Sequence, residues 1–203
     1  MGNELKCTVR FGEQRSEGRA LLEPSELIFR GDSLRMKIPF AAMKRVDAVN
    51  GELRVRGPDG LAVFDIGDNA AKWREKILHP KSRMEKLGVK PDTRVCVLGD
   101  FDESFLRELA VLTNSVQTVA ISGNAEWGFF SAPSQKELSR LPKHAKKLNG
   151  NAALWIVYPK GRKDITETDV IGAGRQAGLK DVKVVGFSPT HTALKFVIPV
   201  SQR

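Results

Sequence analysis

The residues that could do chemistry come directly after predicted strands in the second half of the chain. Three such pairs are Gly99-Asp100, Ser122-Gly123 and Pro159-Lys160. Open α/β sheets bind ligands in a crevice beyond the carboxyl ends of their strands, where these pairs would come together. The sequence therefore predicts the place of a binding crevice, but no particular activity.

A glycine pattern further along the chain invites a different interpretation. The run from Gly172 to Ala177 satisfies the dinucleotide-binding spacing G-x-G-x-x-A. A phosphate loop of this kind follows a buried strand, whereas residues 166–171 do not form a strand pattern. We therefore expect no phosphate loop here, and interpret the glycines as places where a helix packs closely against a sheet.

Metal, nucleophile and redox chemistry leave no signature in the sequence. The three histidines and two cysteines are scattered without the spacing of a metal site. No G-x-S-x-G elbow and no phosphate-binding loop with its lysine is present. No metal, cofactor or catalytic residue is predicted, and Cys7 and Cys96 are interpreted as reduced, buried thiols of a cytoplasmic protein.

Positive charge is concentrated between residues 136 and 163, which hold eight basic side chains and a single acid, Glu137. The whole chain carries a net charge of +9. Such a segment is either a solvated helix face or the binding surface of an anionic partner, such as nucleic acid or an anionic surface. The candidate residues for that partner are Lys143, Lys146, Lys147, Lys160, Arg162 and Lys163.

The first half of the chain consists of short alternating segments, which predict an antiparallel sheet. Seven strands are predicted, at residues 6–11, 19–22, 26–30, 35–40, 45–49, 52–56 and 61–66. Asn50-Gly51 suits a two-residue hairpin, and Gly57-Pro58-Asp59-Gly60 predicts a further turn. A helix over residues 68–78 follows, with Trp73 and Ile77 on one face.

Seven strands closed by a helix that buries a tryptophan resemble the pleckstrin-homology fold, and residues 64–78 carry the likeness. The resemblance implies a barrel over residues 1–80 that recognises a protein or peptide. Phosphoinositide binding is not expected, because Glu13 and Glu17 offset Arg15 and Arg19 around the first loop.

Pro80 marks a domain boundary, since proline disfavours helical geometry in the residue before it. Residues 81–203 then alternate between strands and helices, which predicts an α/β domain with a largely parallel sheet. The predicted strands are 94–98, 118–122, 153–158, 182–187 and 194–198. The predicted helices are 103–112, 135–148 and 167–177, and Pro142 is expected to kink or divide the second of them.

This order resembles a truncated class I methyltransferase fold. Residues 84–200 further resemble a bacterial family known as domain of unknown function 3052, through the runs 86–91, 153–160 and 178–184. The resemblance implies a Rossmann-like three-layer domain. A methyltransferase needs a glycine-rich turn after its first strand and an acid at the end of its second, whereas this chain has Leu98-Gly99-Asp100-Phe101-Asp102 and Ser122-Gly123.

Two folds without their usual functional residues predict a non-catalytic binding or scaffolding module. The first alternative is a divergent enzyme that binds an adenosyl cofactor or nucleotide through Asp100, Ser122 and Lys160. The second alternative is binding of an anionic partner through the basic segment. The apolar runs are too short to cross a bilayer, so no transmembrane segment is expected.

Overall fold

The structure is a computed structural model that describes residues 3–118, 121 and 125–203. The chain divides into two compact units, Met1–Lys81 and Ser82–Arg203, called here the first and second unit. In the described part of the chain, no helix has the length and apolar character needed to span a bilayer.

Residues 3–81 form a seven-stranded antiparallel sheet with the order β4-β3-β2-β1-β7-β6-β5. Its strands are β1 (Asn3–Phe11), β2 (Gln14–Leu22), β3 (Glu26–Gly31), β4 (Arg35–Pro39), β5 (Arg45–Val49), β6 (Glu52–Gly57) and β7 (Gly60–Asp65). The turn between β5 and β6 has positive φ at Asn50 and Gly51, as the hairpin prediction requires. The predicted antiparallel sheet is therefore confirmed, while its likeness to pleckstrin-homology domains stays a prediction.

The sheet of the first unit is curled. The rings of Phe29 on β3 and Phe64 on β7 lie 6.2 Å apart, edge to face. In a flat sheet, two strands three places apart would be separated by roughly 14 Å. The inward side chains therefore share one core, which helix α1 (Asn69–Leu78) closes by burying Ala70, Trp73 and Ile77.

The second unit combines short helices with a mixed sheet. Its strands are β8 (Val95–Leu98), β9 (Val116–Gln117), β10 (Trp127–Ser131), β11 (Ala153–Pro159), β12 (Lys180–Gly186) and β13 (His191–Val197). Its helices are α2 (Arg83–Leu87), α3 (Glu103–Leu112), α4 (Gln135–Leu138), α5 (Leu141–Ala145) and α6 (Glu167–Gln176).

The strand order is β12-β13-β11-β10-β8-β9 among the described residues. β8, β9, β10 and β11 run parallel, whereas β13 is antiparallel to both of its neighbours, β11 and β12. The carboxyl ends of the parallel strands therefore share one edge with the turn between β12 and β13. This arrangement confirms a mixed sheet that ends in an antiparallel pair.

Helices cover both faces of this sheet. Along β11, Leu154, Ile156 and Tyr158 belong to the hydrophobic cluster that includes α4, α5 and α6. The alternate residues Trp155 and Val157 belong to the cluster that includes α2 and α3. Because successive strand residues point to opposite faces, the second unit has three layers, helix, sheet and helix.

One strand of the second unit was missed. β10 was not predicted, although it takes a central place between β8 and β11. The helix predicted at 135–148 is divided into two, as expected, because Pro142 lacks the N–H that a continuous helix needs and lies in the first turn of α5. β9 at Val116–Gln117 ends just before the strand predicted at 118–122, most of which lies outside the described residues.

Candidate functional site

A crevice of about 590 Å³ lies at the carboxyl edge of the second unit's sheet. Its floor and walls come from the ends of β10 and β11, the turn between β8 and α3, and the turn between β12 and β13. This is the place where open α/β sheets bind ligands.

The turn after β8 forms one rim of the crevice. Gly99 has φ +86°, and a Cβ built there would lie 3.2 Å from Cβ of Ser131, at the end of β10. A side chain at this position would be strained and would crowd β10. Glycine therefore brings the backbone close to β10 and places Asp100, which is exposed, in the crevice lining.

Asp102, two residues further on, fixes the start of α3. Its carboxylate accepts hydrogen bonds from the amide of Phe105 at 2.8 Å and from the hydroxyl of Ser104. Burial opposes ionisation, but these two donors and the guanidinium of Arg83 outweigh it and lower the pKa of Asp102. The carboxylate thus remains charged at neutral pH and caps the helix.

Arg83, the first residue of α2, is the cation of the crevice wall. Its Nε and Nη2 donate to the two carboxylate oxygens of Glu108 at 3.0 and 2.9 Å. Nη1 donates to Asp102 at 3.3 Å, and Nη2 also donates to Oγ of Ser104 at 2.9 Å. The Arg83 side chain is only 13% exposed, whereas the side chains of its partners Asp102 and Glu108 remain 45% and 44% exposed.

Aromatic rings support this wall. The ring of Phe101 lies 5.0 Å from that of Phe105 and 5.9 Å from that of Phe187, and both Phe101 and Phe187 line the crevice. The Phe101 ring therefore packs on these neighbours as part of the crevice wall.

The opposite rim is the turn that joins β12 to β13. Oγ of Ser188 accepts hydrogen bonds from the amides of Thr190 and His191 at 3.3 and 3.0 Å. Nδ1 of His191 lies 2.9 Å from Oγ1 of Thr190. These local bonds hold an imidazole and two hydroxyl groups at the crevice.

The structure separates the residues predicted to line the crevice. Asp100 lines it, whereas Pro159 and Lys160 line a neighbouring hollow of about 260 Å³ between β11 and α6. Lys160 reaches the crevice only indirectly, since its Nζ donates to the carbonyl oxygen of Ser188 at 2.7 Å. Ser122 and Gly123 lie outside the described residues.

The missed strand β10 explains this separation. With β10 between β8 and β11, the neighbour of Gly99 is Ser131 rather than Pro159. The apolar residues Trp127, Phe129 and Phe130 indicate this strand only weakly, because Gly128 interrupts them. Arg83 and His191 are distant in sequence from the strand ends that were predicted to line the crevice. No sequence signal identifies these two residues.

The candidate residues for an anionic partner fall into two groups. Lys143 lies on α5 and Lys146 and Lys147 follow it, whereas Lys160, Arg162 and Lys163 lie between β11 and α6. Burial, followed by the charges of Lys143, Lys147 and Arg140, lowers the pKa of His144. Those three cations therefore lie close enough together to act on one imidazole.

The glycine pattern at 172–177 lies on α6 and at its end, so it cannot form the turn between a strand and a helix that binds phosphate. Its glycines therefore belong to a helix, as the interpretation of close helix packing requires. Among the described residues, no three His, Cys, Asp or Glu side chains form a group that could hold a metal ion.

Comparison with known proteins bears on the fold class. No family model and no curated protein matches the sequence. The chain is similar to a TehB-like SAM-dependent methyltransferase from Corynebacterium glutamicum, with 11% identity over 65% of this chain and 97% of that chain, and a TM-score of 0.39. A magnesium protoporphyrin IX methyltransferase from Synechocystis PCC 6803 gives 13% identity over 57% of this chain and 74% of that chain, also at 0.39.

A third solved structure, the C-terminal domain of an unknown protein from Leishmania infantum, covers 37% of this chain and 78% of its own at 10% identity and a TM-score of 0.33. At such scores no ligand or activity is carried over to this chain. The strand order and the two helix layers described above, and not these neighbours, define the second unit as a three-layer α/β domain.

The prediction of a non-catalytic binding or scaffolding module is corrected by these findings. Several of the solved structures that the chain is similar to are methyltransferases, and one magnesium protoporphyrin IX methyltransferase has SAM bound. The first alternative, a divergent enzyme that binds an adenosyl cofactor or nucleotide, agrees with them better.

Proposed function

We propose that the second unit is a divergent enzyme domain that binds an adenosyl cofactor in the crevice. The observation that carries the proposal is the Gly99-Asp100 turn, which presents a carboxylate at the carboxyl end of the inner parallel strand β8. The acid that binds ribose hydroxyl groups in such sheets usually ends the second strand, so Asp100, after the first strand, would accept those hydrogen bonds from a different position. Phe101 and Phe187 add apolar ring surface for a purine.

The charge of the crevice favours an adenosyl cofactor over a nucleotide. Asp100, Asp102 and Glu108 face the crevice, and the guanidinium of Arg83 is already bonded to two of them. A triphosphate would meet uncompensated negative charge, whereas a sulfonium cation would be attracted to it.

Calorimetry with S-adenosylmethionine, S-adenosylhomocysteine and ATP tests this proposal. The wild-type protein is expected to bind the two adenosyl compounds more tightly than ATP. Asp100→Asn is expected to weaken adenosyl binding about tenfold, because a hydrogen bond to a charged acceptor is lost. Asp92→Asn is the matched control, since Asp92 is exposed in the same unit and does not line the crevice.

Absence of adenosyl binding by the wild-type protein would overturn the proposal. If Asp100→Asn and Asp92→Asn bound the adenosyl compounds equally tightly, Asp100 would not be part of the binding site.

Several finer assignments belong to the same proposal. We assign the second unit to the family known as domain of unknown function 3052, which residues 84–200 resemble. We assign the first unit to the pleckstrin-homology fold, with the boundary near Pro80. A cytoplasmic location and a protein or peptide partner for the first unit stay predictions.

A second candidate function is nucleic-acid binding through Lys143, Lys146 and Lys147. Arg140 pairs with Glu137 and Arg162 pairs with Asp164, whereas no described acidic residue forms an ion pair with these three lysines. Their charges are therefore available to phosphates.

Anisotropy titrations of labelled duplex DNA over a range of salt concentrations test this candidate. The slope of log affinity against log salt is negative for such binding. Changing all three lysines to Glu is expected to make this slope shallower by about three. The control changes the exposed Lys44, Lys72 and Lys76 of the first unit to Glu, which alters net charge equally. Equal losses in both triple variants would mean that net charge, not this surface, governs binding.

A further inference from the structure

One side chain, Arg83, contacts both rims of the crevice. On one side its guanidinium bonds to Asp102, Ser104 and Glu108, at the start and middle of α3. On the other side it lies over the ring of Phe187, 5.0 Å from the centroid, and Phe187 leads directly into the turn that carries Ser188 and His191.

The bonds of Arg83 act on the turn that presents Asp100. Asp102 accepts from Arg83 and at the same time caps α3, so the guanidinium holds the point where the turn enters the helix. The turn spans residues 99–102, and its other end is restricted by the positive φ of Gly99 and by Ser131, which leaves no room for a side chain at Gly99. Both ends of the segment that carries Asp100 are therefore held.

The chemistry of the contact suits arginine rather than lysine. Two parallel bonds to Glu108, further bonds to Asp102 and Ser104, and stacking over Phe105 at 5.4 Å and Phe187 at 5.0 Å need a planar, forked donor. A lysine ammonium at the same place would keep the charge but lose the paired geometry and the stacking.

We infer that Arg83 is the positioning residue of the crevice, which sets the separation of its two rims and the place of the Asp100 carboxylate. The consequence of this positioning, the binding of an adenosyl cofactor, rests on the proposed function. The coupling of the two rims through one guanidinium can be tested without any ligand.

The test compares Arg83→Met and Arg83→Lys with Arg107→Met and Arg107→Lys in the full-length protein. Arg107 is a matched control, because it also lies on the α3 side of the unit and pairs with Glu103, but it is exposed and does not line the crevice. Amide hydrogen exchange is followed at residues 99–105 and 187–191, and calorimetry with S-adenosylmethionine is run on each variant.

Exchange in both segments is expected to rise about tenfold in Arg83→Met, with a smaller rise in Arg83→Lys, because charge-assisted bidentate bonds are lost. S-adenosylmethionine affinity is expected to fall in the same order. Exchange elsewhere in the second unit, and both quantities in the Arg107 variants, are expected to stay unchanged.

The outcomes separate the two proposals. Faster exchange at both rims together with no binding of S-adenosylmethionine by the wild-type protein would leave the positioning role standing and remove the cofactor proposal. Exchange that rises evenly over the second unit, or at one rim alone, would show that Arg83 only stabilises the unit. If Arg83→Met does not fold, Arg83→Lys alone decides between these results.

Discussion

At the scale of single residues, Gly172 and Gly174 of α6 have opposite surroundings. A Cβ on Gly174 would lie 2.6 Å from Cδ1 and Cζ of the buried Phe196 ring, and closer still to Cε1. A Cβ on Gly172 would have no described heavy atom within 4 Å. The predicted close packing of a helix on the sheet is therefore confirmed at Gly174 and does not apply to Gly172.

These surroundings predict stability changes of opposite sign. Gly174→Ala is expected to lower the free energy of unfolding by about 1–3 kcal/mol, because the methyl group must displace a packed ring. Gly172→Ala is expected to raise it by about 0.5–1 kcal/mol, because alanine loses less backbone entropy in a helix. Urea denaturation followed by circular dichroism measures both, and a loss of stability in Gly172→Ala would contradict the distinction.

At the scale of elements, the sequence contains enough to locate a helix end when the residues that cap it are close together in the chain. Thr166 and Asp169 form a capping box at the start of α6, and the Ser134 side chain caps α4. Such ends depend on residues three positions apart, so the sequence contains what is needed.

The central strand β10 shows where local patterns fail. Gly128 interrupts its apolar run, and glycine is unfavourable in a strand considered alone. In the sheet, a Cβ at Gly128 would lie 2.8 Å from Cδ1 of Leu154 on β11, so the neighbouring strand requires glycine there. Only the tertiary contact explains the residue, and without β10 the residues around Gly99 could not be identified from the sequence.

The candidate site was predictable in position but not in composition. Asp100 could be found because it follows a buried strand. Arg83 and His191 reach the crevice from α2 and from the start of an antiparallel strand, 17 residues before and 91 residues after Asp100 in the chain. Their convergence is a property of the sheet order, which no local spacing reveals.

At the scale of the whole molecule, each unit has a hydrophobic core of its own. The core of the first unit is made of residues from Val9 to Ile77, and the two clusters of the second unit are made of residues from Met84 to Phe196. A domain of about 80 residues buries enough surface to be stable alone when its core is complete. We therefore expect each unit to fold as a separate fragment.

Fragments 1–81 and 82–203 test this expectation against a matched control, fragment 1–68, which keeps all seven strands of the first unit but lacks α1. Trp73 is 2% exposed in the intact unit, so removing α1 opens the core that the curled sheet surrounds. Fragments 1–81 and 82–203 should each show a cooperative thermal transition by circular dichroism, and fragment 1–68 should show none. If fragment 1–81 were as unfolded as fragment 1–68 while the full chain melted cooperatively, the first unit would depend on the rest of the chain for its stability, and α1 could not be the element that completes it.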